Sequence, residues 1–354
     1  MRIAVLKVGA LGDVLRTTAL LPGFRRLYPG LDLTWVTSAR ALPLLQGNPL
    51  VQRTVDYREP APREWAGLNY DWVISLDDDV EVCRLASKLS CRRLSGSYAD
   101  GAGELRYTSD LEEWFGMGRL RRPEDGGLER ANQLKRINTD DYGSILYRGL
   151  GLPLPVEPPA LTVPEEDKAR VRDWIRANNL AARTLIGLNT GAGDRWKYKS
   201  WGIDQTVELA RQLSHRPGTA AIVLGGEAER ARNQEIAARA GSPGVIAAPC
   251  DLSLLSFAAL IGNLAVLVTS DSLAMHIGIA LERPVVAFFG PTSSSEINLF
   301  GRGEKIATQL ECRCCYLPDC DVRPHCMQSI SVERMSAAVL HSIGAPGPFA
   351  RRGS

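Results

Sequence analysis

Residues 3 to 18 read Ile3-Ala-Val-Leu-Lys-Val-Gly-Ala-Leu-Gly-Asp-Val-Leu-Arg-Thr-Thr18. Ile3–Val8 is a short apolar run of the kind that forms a buried strand. Gly9 and Gly12 permit a close turn, Asp13 follows, and the pattern then turns helical to about Leu27. The same order of signals returns downstream. Leu33–Thr37 reads as a second strand and Val73–Leu76 as a third, stopped by the acidic run Asp77–Asp79. Strands alternating with helical patterns predict βαβ units and a mostly parallel sheet.

The rhythm breaks at Gly151-Leu-Pro-Leu-Pro-Val-Glu-Pro-Pro159. Its prolines exclude a helix interior and suit a central strand poorly, so residues 150–165 are expected to link two domains. A helix is expected over Glu165–Asn178. A second alternating series follows, with apolar runs at Leu185–Leu188, Ala221–Leu224, Val245–Ala247, Val266–Thr269 and Val285–Phe289. Helical segments such as Gln205–Leu213 and Glu229–Ala240 separate them, and Val332–Ser342 reads as a final helix. A single core stops growing at about 250–300 residues, and the chain has 354. The predicted fold is α/β, with two doubly wound Rossmann-like domains facing across a cleft. Their expected spans are 1–160 and 161–330, with a C-terminal helix and tail over 331–354. The pattern by itself also suits two-domain dehydrogenases and periplasmic-type binding proteins.

A net charge of only +2 argues against a nucleic-acid partner. The charge is locally uneven: Arg119, Arg121 and Arg122, with Lys135 and Arg136, make a basic zone. It reads either as a solvated face or as a landing site for an anionic acceptor or membrane surface. The N-terminus enters a strand-like run with no secretory pattern. No apolar stretch reaches the roughly 20 residues that span a bilayer. The expected location is the cytoplasm, at the inner face of the membrane if the basic zone meets lipid. There the eight cysteines should mostly be reduced.

Four segments carry chemistry. The first is the opening turn, where Asp13 sits at the carboxyl edge of the first strand, the place where open α/β sheets bind ligands. A helix cap and a catalytic base remain equal readings of this carboxylate. The second is Asn189-Thr-Gly-Ala-Gly-Asp-Arg-Trp-Lys-Tyr-Lys-Ser-Trp-Gly202. Its glycines let amides approach an anion, and Lys197 and Lys199 can reach a phosphate; the alternative is a solvated loop. The third is Leu224-Gly-Gly-Glu-Ala-Glu-Arg230, whose acids either favour a helix dipole or hold a ribose hydroxyl pair or an adenine edge. The fourth joins Val268-Thr-Ser-Asp-Ser-Leu-Ala-Met-His-Ile277 to Val285-Val-Ala-Phe-Phe-Gly-Pro-Thr292. Asp271 and Ser272 open a helix whose free amides suit a diphosphate, and His276 follows one turn later.

Taken in order, these motifs resemble glycosyltransferase family 9, the bacterial heptosyltransferases. The matching residues are Leu11-Gly-Asp13 with Thr17-Thr18, Lys199-Ser-Trp201, Gly225-Gly226 with the acids that follow, Asp271-Ser272 with Met275-His276, and Gly290-Pro-Thr292. They cover residues 1 to about 330. The resemblance implies the GT-B architecture, with the acceptor in the N-terminal domain and the nucleotide sugar in the C-terminal one. It implies transfer of a sugar, heptose from ADP-heptose in the best known members, to an acceptor in the lipopolysaccharide core. The anomeric centre inverts and no cofactor or catalytic metal is required. The acceptor could equally be another glycan, a glycolipid, a protein or a small molecule.

Residue by residue, the resemblance makes Asp13 the general base and Lys199 the lysine that neutralises the donor phosphates. Gly12, Arg16 and Thr17 fall on the acceptor side. Thr190, Gly191, Asp271, Ser272, His276, Gly290 and Thr292 surround the donor, and Glu227 or Glu229 holds the ribose. Two positions depart from the family: Leu273 stands where it usually has glycine, and Asn189-Thr-Gly191 where it usually has Asn-Pro-Gly. The chemistry suits these parts. Charge leaves on the nucleotide diphosphate, where cations and helix-end amides lower the barrier, and a carboxylate takes the acceptor proton.

Five cysteines crowd into Cys312–Cys326. Without Cys314 they read C-x2-C-x4-C-x5-C, so Cys312, Cys315, Cys320 and Cys326 could ligate a structural zinc or iron ion, with His325 as a spare ligand. Packed thiols and a local disulfide are the alternatives. Because the segment is poor in apolar side chains, it is expected to be disordered unless something clips it. Cys83, Cys91 and Cys250 read as core residues. Two other functions fit the same pattern: a nucleotide-sugar epimerase, which needs no acceptor, and a non-catalytic nucleotide-sugar sensor.

Overall fold

Strand β1 (Arg2–Leu6) buries every residue after its first, the mark of a central parallel strand covered on both faces. The computed structural model describes residues 1–59, 63–118, 123–193, 198–317 and 319–344. It divides into two units, Met1–Thr162 and Val163–Ser354. In the first unit β1 is followed by β2 (Asp32–Thr37), β3 (Arg53–Asp56), β4 (Tyr70–Ser75), β5 (Cys91–Ala99) and β6 (Leu105–Tyr107). The sheet order is β3-β2-β1-β4-β5-β6. All neighbours are parallel except β5 and β6, which are antiparallel.

The second unit repeats the plan with β7 (Thr184–Asn189), β8 (Thr219–Leu224), β9 (Val245–Ala247), β10 (Val266–Ser270), β11 (Val285–Phe289) and β12 (Gly303–Ala307). Its order is β12-β11-β10-β7-β8-β9, parallel throughout. In each unit the strand order reverses beside the first strand, between β1 and β4 and between β7 and β10. Ligands of doubly wound sheets bind at the carboxyl end of such a reversal. The last helix, Val332–Gly344, belongs to this unit: Met335, Ala338 and Val339 complete the core built on β7, β8, β10 and β11. Residues 345–354 of the expected tail lie outside the described residues.

The expected single helix up to Leu27 is two helices, Leu11–Thr17 and Leu20–Leu27. Pro22 is the cause. A continuous helix would drive its ring into the carbonyl of Thr18, whereas in the first turn of a new helix its missing N–H costs nothing. The strands absent from the sequence reading, β3, β5, β6 and β12, lie toward the sheet edges. There the chain needs no continuous apolar run: β3 exposes Arg53 and Thr54, and β12 exposes Gly303 and Lys305.

Candidate active site

In the second unit, the segments singled out in the sequence meet at the carboxyl ends of β7, β8, β10 and β11. Lys199 Nζ donates to Asp271 Oδ2 at 2.9 Å and to the Asp271 main-chain oxygen at 3.2 Å. His276 is buried one turn into helix Leu273–Ala280, with Nε2 4.0 Å from the other Asp271 oxygen. Ser272 occupies the N-cap position of that helix, but its hydroxyl does not cap. It lies 3.0 Å from Thr269 Oγ1 and accepts from Asn189 Nδ2 at 3.3 Å. Asn189, the last residue of β7, also donates to Thr269 Oγ1 at 3.0 Å. It therefore spans the reversal between β7 and β10. No side chain caps the first amides of this helix, and uncapped amides at a helix start can meet an anion. Leu273 is not in the left-handed region, so the helix start does not need glycine for its backbone conformation.

The lysine is held by its neighbours. Trp201 is buried and its Nε1 donates to the Ile330 carbonyl at 3.1 Å, which anchors the Lys199-Ser-Trp201 turn in the core. Asp194 to Lys197, including the second lysine of the loop, lie outside the described residues. Thr190 is buried, with Oγ1 donating to Asn233 Oδ1 at 2.5 Å and lying 3.2 Å from the Leu224 carbonyl oxygen. Thr190 is thus part of the joint between β7 and β8.

The two candidate acids of the third segment differ sharply. Glu227 is exposed and paired with Arg230, an arrangement that holds its carboxyl below the usual range. Glu229 turns back: its Oε2 accepts from Gly226 N at 2.8 Å, and a Cβ on Gly191 would stand 3.1 Å from its carboxyl group. Only Glu229 is next to the β7 exit. At the β11 exit, Thr292 is buried with an Oγ1 that has no hydrogen-bond partner among the described residues. Gly290 packs on Cys326, whose Sγ would be 2.4 Å from a Cβ added there.

In the first unit, Gly12, Asp13, Arg16 and Thr17 all lie on helix Leu11–Thr17. Its N-cap is Ala10, so Asp13 is in the first turn and is not the cap. Its carboxylate pairs with Arg16 at 2.9 Å and is about one-third exposed. The Arg16 guanidinium lies 4.0 Å over the ring of Tyr142 and 5.6 Å from that of Trp114. Those rings meet edge-on at 4.5 Å. Thr17 is fully buried, and its hydroxyl sits 2.6 Å from both the Tyr142 hydroxyl and the Asp13 carbonyl, a helix-anchoring arrangement. Trp114 and Tyr142 carry no local motif, since more than 100 residues separate each of them from Asp13. In the proposed basic zone, Arg119, Arg121 and Arg122 lie outside the described residues. Lys135 is buried and Arg136 exposed, so this pair does not form one solvated face.

The cysteine segment has anchors of its own. Cys314 N donates to the Gly290 carbonyl at 3.0 Å and Tyr316 N to the Pro291 carbonyl at 2.9 Å. The Tyr316 hydroxyl accepts from Ser293 N at 3.0 Å. Cys83, Cys91, Cys250, Cys312, Cys320 and Cys326 are free thiols. Cys83 and Cys250 are buried as expected, while Cys91 is half-buried. Cys326 belongs to the core. Burial pushes its thiol up to about 11, with Cys315, Cys320 and Cys312 adding to the effect. Among the described residues, no three His, Cys, Asp or Glu side chains are placed to share a metal ion.

Residues 130–320, more than half of the chain, match the model of glycosyltransferase family 9 (heptosyltransferase). The chain belongs to this family. As a member it is a glycosyltransferase. It is 22% identical over 342 residues to lipopolysaccharide heptosyltransferase 1 of Pseudomonas aeruginosa, covering 92% of this chain and 88% of that one. Among solved structures, a family 9 glycosyltransferase of Veillonella parvula superposes with a TM-score of 0.75 at 20% identity, covering 97% of each chain. The E. coli ADP-heptose lipopolysaccharide heptosyltransferase II gives 0.67 at 22% identity, covering 97% of this chain and 98% of that one. These likenesses show that this glycosyltransferase has the GT-B fold. No helix of its described residues is long and apolar enough to cross a membrane.

Proposed function

We propose that this glycosyltransferase moves a heptose from ADP-heptose to an acceptor hydroxyl of the lipopolysaccharide core or a related glycan, with inversion and without a catalytic metal. The observation that carries this reading is the group Lys199, Asp271, His276 and Ser272 at a helix start, beside the strand reversal of the second sheet. A family 9 relative is named a lipopolysaccharide heptosyltransferase, and a structural neighbour is named for ADP-heptose.

The second unit binds the donor in this reading. The Lys199 ammonium and the amides that open helix Leu273–Ala280 meet the diphosphate, supplying the positive charge that a metal supplies elsewhere. Thr292 offers its unpartnered hydroxyl from the next strand. Glu229, rather than Glu227, takes the ribose hydroxyls, because Glu227 is turned to Arg230. In the first unit, Asp13 takes the proton of the acceptor hydroxyl. That oxygen forms the new bond to the anomeric carbon as the bond to the donor's phosphate oxygen breaks, and its electron pair leaves with ADP. One displacement inverts the centre. Arg16 holds the Asp13 carboxylate in place and adds positive charge where an anionic acceptor docks. An acceptor anchored in lipid places the enzyme in the cytoplasm at the inner face of an anionic membrane.

A thermal-shift series tests the donor. ADP is expected to raise the melting temperature, by an amount that grows with concentration as for any ligand of the native state. UDP and GDP should do less; equal stabilisation by either rejects the adenine assignment. For the cysteine segment we propose a structural role. Its thiols have the donor chemistry of a zinc or iron clip, with Cys312, Cys315, Cys320 and Cys326 as ligands, although they do not form a closed set as they stand. Elemental analysis of protein purified without added metal decides between the two accounts. About one equivalent of metal supports the clip. Less than about a tenth, with titratable thiols, establishes packed cysteines.

A further inference from the structure

The acidic run Asp77–Asp79 follows β4, directly beside β1 at the strand reversal of the first sheet. Its three carboxylates do different things. Asp79 caps helix Val80–Lys88, accepting from Glu81 N at 2.9 Å and Val82 N at 3.2 Å. Asp78 is pushed up to about 6 by burial, with Asp77 adding to the effect and Lys7 opposing it. Asp77 reaches across to the exit of β1. Its Oδ2 accepts from Val8 N and from Gly9 N, the latter at 3.2 Å. Its Oδ1 accepts from Lys7 Nζ at 2.8 Å. The ammonium of Lys7 also donates to the Leu76 carbonyl at 3.0 Å, and the two charged side chains are only 8% and 11% exposed.

The contact leaves no room for a side chain at position 9. A Cβ on Gly9 would stand 2.8 Å from Asp77 Oδ1 and 3.5 Å from Lys7 Nζ. The tied residues, Val8 and Gly9, come immediately before the start of the helix that carries Asp13. That start has no side-chain cap: Ala10 is the N-cap, and its carbonyl accepts from Asp13 N at 2.8 Å and Val14 N at 3.1 Å. What locates the helix start is therefore the pair of amides held by Asp77. Burial works against the charge on Lys7, but Asp77 and then Asp13 outweigh it and hold the ammonium well above its ordinary value. The lysine thus interacts with both carboxylates.

We propose that Asp77 and Lys7 form a buried clamp that positions Asp13 for transfer, acting through the β1 exit loop and touching no substrate. This rests on the reading of Asp13 as the base. A buried pair fits the task, because each member fixes the other and removal of one leaves an uncompensated charge. Asp77→Asn keeps the side-chain shape but turns an amide toward Lys7. Hydrogen exchange of the amides in residues 8–13 should then quicken at least fivefold, while exchange in β7–β11 stays unchanged. With ADP-heptose and purified lipopolysaccharide core as the assay pair, kcat should fall by about 10–100-fold. The KM for ADP-heptose should move less than twofold, since the donor residues belong to the other unit. The double variant Lys7→Met/Asp77→Asn should recover part of the kcat lost in Lys7→Met alone, because it leaves no unpaired buried charge. Unchanged exchange in residues 8–13, or wild-type kcat in Asp77→Asn, overturns the clamp. So does a loss of kcat matched by an equal loss of ADP binding and melting temperature. If Asp13→Asn stays active, the base assignment fails and the clamp's catalytic role with it. If Asp13→Asn is inactive while Asp77→Asn is fully active, only the clamp fails.

Discussion

Asp13→Asn is expected to cut sugar transfer by about 10²–10⁴-fold, the usual weight of general base catalysis. The substitution keeps the size of the side chain and removes its ability to accept a proton. It should barely disturb the helix, whose N-cap is Ala10 and whose first turn needs no side-chain bond from position 13. Arg16 loses its carboxylate partner but keeps its place over Tyr142, 4.0 Å from the ring, so local packing should survive. ADP affinity, read by calorimetry, should stay within about twofold, because every donor-side residue named above belongs to the second unit. The clean signature is a lost kcat at constant ADP binding. Near-full activity in this variant would remove Asp13 from the mechanism.

Lys199→Ala is expected to weaken ADP binding about tenfold and to lower kcat by about 10²–10³-fold, the scale seen when one preorganised stabiliser of developing charge is removed. The kinetic effect exceeds the binding effect because the lysine's interaction strengthens as negative charge gathers on the leaving diphosphate. The structure adds a second reason. Lys199 holds Asp271 through both its carboxylate and its main-chain oxygen. Its removal also loosens the residue that precedes the N-cap of helix Leu273–Ala280. Lys197→Ala, outside the Lys-x-Trp match, should have a smaller effect. The two variants are compared by steady-state kinetics and by titration with ADP. If Lys197→Ala is the more damaging, the loop has been assigned to the wrong lysine.

Several features of this glycosyltransferase could be read from local sequence for a physical reason. The central strands β1, β7, β8, β10 and β11 are covered on both faces, so each must be apolar almost throughout, and a run such as Val285–Phe289 announces itself. The motifs sit where these strands end, because a parallel sheet gathers its carboxyl ends along one edge. Edge strands such as β3 and β12 carry no such signature, since one flank meets solvent. The break at Thr18 was legible in principle from Pro22, but the helical periodicity on either side obscured it.

Other features were decided only by the tertiary structure. Glu227 and Glu229 have the same chemistry two residues apart. A short 3-10 turn sends one to Arg230 in solvent and the other back toward Gly191. Lys135 and Arg136 look alike in the chain, yet the helix Gly127–Ile137 buries the first and exposes the second. The cysteine segment read as unable to order itself, because its composition shows no core. Its anchors include main-chain bonds to Gly290 and Pro291, which no side-chain pattern reports. Asp77 stood in the sequence as the end of a strand. Only the adjacency of β4 to β1, about 70 residues earlier in the chain, makes it the partner of Lys7 and the support of the loop before Asp13. Sequence carries the local pattern of apolar residues, turns and helix starts. Which polar groups share one crevice depends on strand order, and strand order is a property of the folded sheet.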